Sequence, residues 1–273
     1  MSRWLWHSRL AVTALVLSVS TSSISISFSS VAPAAETSLA ATCHASPDLV
    51  RFTRPLPRTA EKLAAREPLT IVAFGSSSTV GVGSSSPEAT YPSRLAVDIE
   101  RLFPGAHVTM LNRGINGEDA REMLARFQTS VVAAKPDLVI WQVGTNAVLR
   151  DDPLQPADAL IRDGIGQIKA TGADVILMDP QFAPRVIAKP EIDGMLSLLS
   201  GEAKRANVDL FARFAIMRGW HETDGLPFST FLSPDDLHMN DWGYACVAQL
   251  LASSIASAAE RAVLSAHATS ALH

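Results

Sequence analysis

Two stretches of this chain hold the residue types that nucleophilic catalysis needs. Gly75-Ser76-Ser77-Ser78-Thr79 follows an apolar run and offers three hydroxyls at a strand-to-helix turn. A serine there can be exposed for attack while backbone N–H groups of the turn face a developing oxyanion. Far along the chain, Asp235-Asp236-Leu237-His238 sets a carboxylate three positions before an imidazole. Within one turn such a carboxylate can accept from the ring, fix its tautomer and leave the second nitrogen free as a general base. Between the two, Asn112-Arg113-Gly114-Ile115-Asn116-Gly117 and Gly144-Thr145-Asn146 add glycines, whose backbone N–H can approach a ligand closely, and an Asn amide able to donate from the side. Each stretch alone also reads as an ordinary turn, since Ser, Asn and Gly are common turn and capping residues.

Three other strand-loop-helix motifs fail at the serine-rich turn. An α/β-hydrolase elbow, G-x-S-x-G, would need Gly where Thr79 stands. A phosphate loop would need Gly-Lys-Ser/Thr, and no lysine occurs between Lys62 and Lys135. A dinucleotide fingerprint would continue beyond Gly81-Val82-Gly83 with a third glycine and find an acid at the end of the next strand, where Ser84-Ser85-Ser86 and Asn112 are found.

What remains is the order of four blocks: Gly75-Ser76-Ser77, Gly114 in its Asn-Arg-Gly-Ile-Asn-Gly run, Gly144-Thr145-Asn146, and Asp235-x-x-His238. In that order the sequence resembles the SGNH (GDSL-like) hydrolase family over most of residues 69–258. The resemblance implies Ser77 as nucleophile, His238 as base and Asp235 as its orienter. It also implies an oxyanion hole from the N–H groups of Ser77 and Gly114 and the Asn146 amide. Two positions depart from the pattern: Ser76 stands where the family has Asp, and Ala147 follows the third block where Asp is common. Ser76 and Ser78 therefore stay open as alternatives to Ser77. Asp179 and Gln181, at the end of a fourth strand on the same rim, are expected to touch substrate, with capping of the Pro180 turn an equal reading for Asp179.

The elements that must carry these residues alternate. Apolar runs at 69–74, 107–111, 137–143, 174–178 and 208–211 read as strands, separated by amphipathic helical patterns near 91–103, 118–134, 156–171, 190–206 and 241–265. Runs such as Leu138-Val139-Ile140-Trp141 are apolar throughout, as a parallel sheet covered on both faces requires. The expected fold class is α/β, a three-layer α/β/α sandwich on a mostly parallel five-stranded sheet. Ligands of such sheets bind beyond the carboxyl ends of the strands, where three of the blocks fall, while the fourth lies in the last loop.

The chain has 47% hydrophobic and 18% charged residues, enough for one sizeable core. Arg3 and Arg9, the apolar run 10–19 and Ala32-Pro33-Ala34 read as an export signal over residues 1–34, with an uncleaved N-terminal anchor as the alternative. An N-terminal arm over 35–66, irregular to about residue 58 and then a short helix near 59–66, a hydrolase domain over 67–265 and a disordered tail over 266–273 are expected to follow. The formal net charge of −4 includes no Lys/Arg cluster, which argues against a nucleic-acid partner. Cys43 and Cys246 admit two readings, a bridge in an oxidising compartment or two unpaired thiols.

These expectations combine into an exported serine hydrolase acting on carboxylic esters, with no metal or organic cofactor and no stable membrane span after cleavage. Its expected substrate is a small acyl ester, acetyl foremost, or an O-acylated saccharide. Two alternatives stand beside it: an acyltransferase using the same triad, and a catalytically silent carbohydrate-binding protein.

Overall fold

Carboxylates at the starts of three strands gather the segment that leads into the sheet. The N–H groups of Thr53 and Arg54 donate to Asp209 at 2.8 and 2.9 Å, Thr59 N–H donates to Asp174 at 2.7 Å, and Arg58 Nε donates to Asp137 at 2.9 Å. This computed structural model describes residues 42–270, so the expected export signal lies outside the described residues. The segment ends in α1 (Pro57–Ala65), which Pro57 opens where a missing N–H costs nothing. The short helix expected near 59–66 is present, and Phe52 and Leu56 are buried, so the segment before it that reads as irregular in sequence is part of the core.

The sheet is a three-layer α/β/α sandwich's centre, with five parallel strands in the order β2-β1-β3-β4-β5. β1 spans Pro68–Gly75, β2 His107–Gly114, β3 Leu138–Gln142, β4 Asp174–Met178 and β5 Asp209–Phe211. Helices follow the strands: α2 (Ser77–Val80), α3 (Tyr91–Leu102), α4 (Ala120–Ala125), α5 (Thr145–Leu149), α6 (Ala157–Ala170), α7 (Ile192–Ala206), α8 (Arg213–Arg218) and α9 (Asp241–Ser270). α1, α3 and α9 pack together on one face, and α4, α6 and α7 on the other. That double cover explains why every residue of β3 and β4 is buried.

The chain steps from β1 outward to β2 and then returns to β3 on the other side of β1, so the carboxyl end of β1 is the switch point of the sheet. Crevices open at such points, and the serine triplet lies there.

Three elements differ from the sequence pattern. β2 continues through Asn112-Arg113-Gly114, which reads as a loop, because Gly75 and Gly114 still pair in register. The single helix expected over 118–134 breaks at Arg126 (φ −110°, ψ 13°) after α4, which begins with a capping box between Asp119 and Glu122. α9 runs to Ser270, through the start of the expected tail, since its last turns are rich in alanine, the strongest helix former.

Candidate active site

Ser77 opens α2 directly after β1, and the turn sorts the three serines. Ser76 is buried, and both its N–H and its hydroxyl donate to Gln142 Oε1, at 2.9 and 3.0 Å. Ser78 is buried on another side, with its hydroxyl 3.5 Å from Gln181 Oε1. Ser77 alone of the three reaches the imidazole: its Oγ lies 2.8 Å from His238 Nε2, across 161 positions of sequence.

The loop carrying His238 is shaped by one carboxylate. Asp235 Oδ1 accepts the N–H groups of Leu237 and His238 at 3.0 and 2.9 Å and the Ser233 hydroxyl at 2.8 Å. Asp235 Oδ2 faces His238 Nδ1 at 2.5 Å. The tight return needs Asp236 in the left-handed region, φ 56°, a conformation that Asp tolerates better than most residues. Partial burial works to raise the Asp235 carboxyl, but the hydrogen bonds from the His238 ring and backbone, Ser233 and Leu237 outweigh it and hold the group well below the usual carboxylate range. A carboxylate there favours Nδ1–H on the ring and leaves Nε2 to accept from Ser77.

The glycine and serine run after α2 serves this loop. Tyr244 donates its hydroxyl to Val82 O at 2.7 Å, and Ser85 gives its N–H and hydroxyl to Asp241 at 2.7 and 2.5 Å. A side chain on Gly83 would meet Met239 O and the His238 Cβ, so the absence of Cβ lets the two loops touch.

On the opposite side, Gly114 N–H donates to Asn112 Oδ1 at 3.0 Å, and a Cβ there would run into Ser76 O and Val80 N. Asn146, in the first turn of α5, gives one amide hydrogen to Glu118 O at 2.8 Å. Asp179 and Gln181, expected at the substrate, are instead 3% and 1% exposed and turned inward. Asp179 Oδ1 accepts Phe214 N–H at 2.9 Å, while Gln181 bonds Arg213, Thr145 and Leu237. Their side chains are consumed by the floor under the site. Burial pushes the Asp179 carboxyl up to about 7 against the opposing pull of Phe214 N–H and Arg213.

A family model described as the Non-GDSL lipase-like family matches residues 42–261. The chain belongs to the Non-GDSL lipase-like family. This corrects the GDSL-like resemblance, and the physical basis is visible at Ser76: no carboxylate precedes Ser77, and the Gln142 amide receives the groups at that position. Among curated relatives, an acetylxylan esterase of Geobacillus stearothermophilus is 30% identical over 94 residues, which cover 31% of this chain and 43% of that protein. An arylesterase of Vibrio mimicus is 32% identical over 97 residues, covering 36% and 48%. The chain thus spans less than half the length of either. A crystal structure of a two-domain esterase active on acetylated mannans superposes with a TM-score of 0.66 at 22% identity, over 77% of this chain and 56% of that one, a likeness of fold.

Sequence reasoning passed over Gln142, Glu118, Arg126 and Arg213. A signal existed for Gln142 alone, a polar residue ending an otherwise apolar buried strand, which must find a hydrogen-bond partner. Among the described residues no group of His, Cys, Asp and Glu could hold a metal ion, and no helix is long and apolar enough to cross a membrane.

Proposed function

We propose that this member of the Non-GDSL lipase-like family is an exported serine esterase that removes small acyl groups, acetyl foremost, from O-acylated saccharides. The observation that carries the reading is the unbroken chain from Ser77 Oγ through His238 to Asp235, at 2.8 and 2.5 Å. Ser77 Oγ attacks the ester carbonyl carbon as its proton passes to His238 Nε2. The tetrahedral oxyanion collapses, the C–O bond to the sugar breaks, and the same proton leaves with the alcohol. Water then repeats the sequence on the acyl-serine and releases the acid. Asp235 keeps the ring in register and balances the imidazolium.

For the oxyanion we assign Ser77 N–H, at the free start of α2, and the second amide hydrogen of Asn146. Gly114 N–H is committed to Asn112, so we give this glycine the close-packing role beneath α2. Gly117 supplies the third donor in this reading: it precedes the Glu118 carbonyl that Asn146 holds, and its N–H has no acceptor among the described residues. Acetyl and saccharide specificity draw support from the two acetyl-carbohydrate esterases that the chain resembles in sequence or fold. Export draws support from the Cys43–Cys246 disulfide, a bond kept in oxidising compartments, and from the signal expected over residues 1–34.

The test is turnover of p-nitrophenyl acetate by wild type and Ser77→Ala, with fluorophosphonate labelling and peptide mapping. The expected loss is about 10³-fold or more, with the label on Ser77. Equal turnover, or a label on Ser76 or Ser78, would remove the assignment. Product analysis with an added sugar acceptor separates hydrolysis from acyl transfer.

A further inference from the structure

The most connected side chain on the site's rim is one to which the proposed chemistry assigns no task. Arg126 sits where the helix expected over 118–134 breaks, with its guanidinium 4.6 Å over the ring of buried Phe74. Its Nε donates to both carboxylate oxygens of Glu118, at 2.9 and 2.7 Å, and its Nη2 lies 2.6 Å from Glu118 Oε2. Nη2 also faces Arg113 O at 3.0 Å and Gly75 O at 3.3 Å, and Nη1 donates to Ser130 Oγ at 3.0 Å. Both side chains are largely withdrawn from water, 15% and 13% exposed.

The targets of that fork explain its placement. Gly75 lies two residues before Ser77, and Arg113 lies in the strand end that packs against α2. Glu118 is held at two points: Arg126 takes its carboxylate, and the Asn146 amide donates to its carbonyl at 2.8 Å. One planar cation therefore joins the nucleophile strand, the end of β2 and the residue that fixes the Asn146 amide plane. A lysine could not reproduce this, being a point charge without the fork.

We infer that the Arg126–Glu118 pair is a positioning device, which sets the Asn146 amide and the 114–118 loop relative to Ser77 without touching substrate. The inference rests on the esterase reading above. Where oxyanion donors must hold their geometry closely, a misplacement on the order of 1 Å costs about 100-fold in rate. The Michaelis complex does not depend on that alignment, so the loss falls on kcat.

The experiment measures kcat, KM and thermal midpoint for Arg126→Met, Glu118→Gln and the double variant, beside Ser77→Ala. Either single change leaves a largely buried charge without its partner and lowers the midpoint; removing both restores much of it. The expected result is a kcat reduced about 10- to 100-fold in all three, KM within about twofold of wild type, and a double variant that regains its midpoint without regaining kcat. If kcat recovers together with the midpoint, or stays within about twofold of wild type in Glu118→Gln, the pair is only a stabilising contact and the inference fails. Should Arg126→Met not fold, Glu118→Gln and the double variant still decide. Ser77→Ala separates the two levels: if it retains wild-type turnover the esterase reading fails, whereas a silent Ser77→Ala beside fully active pair variants overturns this inference alone.

Discussion

Gln181 Nε2 donates to the carbonyl of Leu237, the residue before His238, across 3.2 Å of buried interior. Its Oε1 accepts from Arg213 Nη2 at 2.9 Å and from Thr145 Oγ1 at 3.1 Å. Arg213 Nε in turn donates to Asp179 O at 3.1 Å. The rim of β4, the start of α5 and the start of α8 thus meet under the loop that presents the imidazole. The Ser77 side rests mainly on Gln142 and Arg126, and Ser78 Oγ, 3.5 Å from Gln181 Oε1, links it to the first cluster. Ser77 and His238 are held from below by two linked polar clusters.

Replacing Gln181 tests the first cluster. Gln181→Leu conserves bulk but leaves Leu237 O and Arg213 Nη2 without their partner. Unfolding in urea is expected to show a loss of about 1–3 kcal/mol, the cost of buried groups left unsatisfied. Esterase kcat should fall roughly tenfold as the loop gains freedom, with most of the effect outside KM. A variant with the wild-type urea midpoint would show that the loop is held by other contacts.

Asp235→Asn keeps the shape of the loop residue and removes the charge that selects the ring tautomer. A kcat loss of about 10³- to 10⁴-fold is expected, with KM nearly unchanged. The pH behaviour follows from the direction of the shift. The folded carboxyl lies below its ordinary value, so its contribution is complete above the unfolded pKa of about 4 and is lost only as pH falls through the lower folded value. The acid limb of the wild-type rate profile therefore should not contain a carboxylate step between pH 4 and 6. A step in that range that disappears in Asp235→Asn would contradict the assignment.

How much of this could be read from residues alone divides along physical lines. The strands were legible, β1, β3 and β4 most plainly because they are nearly continuous apolar runs, and three of the four blocks fall after strands, the fourth in the last loop. The closeness of Ser77 and His238 was an expectation of block order, not of spacing. The choice among Ser76, Ser77 and Ser78 was not legible, since all three have the same hydroxyl, and it is the turn into α2 that sends two of them inward. The inward direction of Asp179 and Gln181 was not legible because position on the rim does not say which way a side chain points. Arg126 escaped notice inside a pattern that reads as one continuous helix. Its partners come from three separate elements. The Cys43–Cys246 bridge stayed open for the same reason, with 203 positions between the cysteines.

Asp179 makes the stability of the fold depend on pH. Its carboxyl is pushed up to about 7 by burial, while the unfolded chain titrates near its ordinary value of about 4. Between these values the folded protein binds more protons than the unfolded chain, so this group's contribution falls as pH rises from about 4 to about 7 and is constant above. Asp179→Asn keeps an acceptor for Phe214 N–H and removes the titration. Thermal midpoints of both proteins across pH 4.5–8 should show the variant gaining on wild type as pH rises through that window. Parallel curves would place the Asp179 titration outside it.

The disulfide offers a prediction about stability that is separable from chemistry. Cys43 and Cys246 are bonded across 203 positions, and Cys246 lies buried in the second turn of α9. Closing so long a loop restricts the unfolded chain far more than the folded one, in which α1 and the strand-end carboxylates already hold the N-terminal segment. Replacing both cysteines by alanine is expected to lower the unfolding free energy by about 2–5 kcal/mol. The triad's own contacts, through Ser233, Gln181 and Asp241, do not involve either sulfur, so turnover at 25 °C should stay within about twofold of wild type. Urea curves with and without dithiothreitol provide the check: reduction should bring wild type to the midpoint of the double variant and leave the variant unmoved. If reduced and oxidised wild type unfold at the same urea concentration, the bridge does not carry the stability assigned to it.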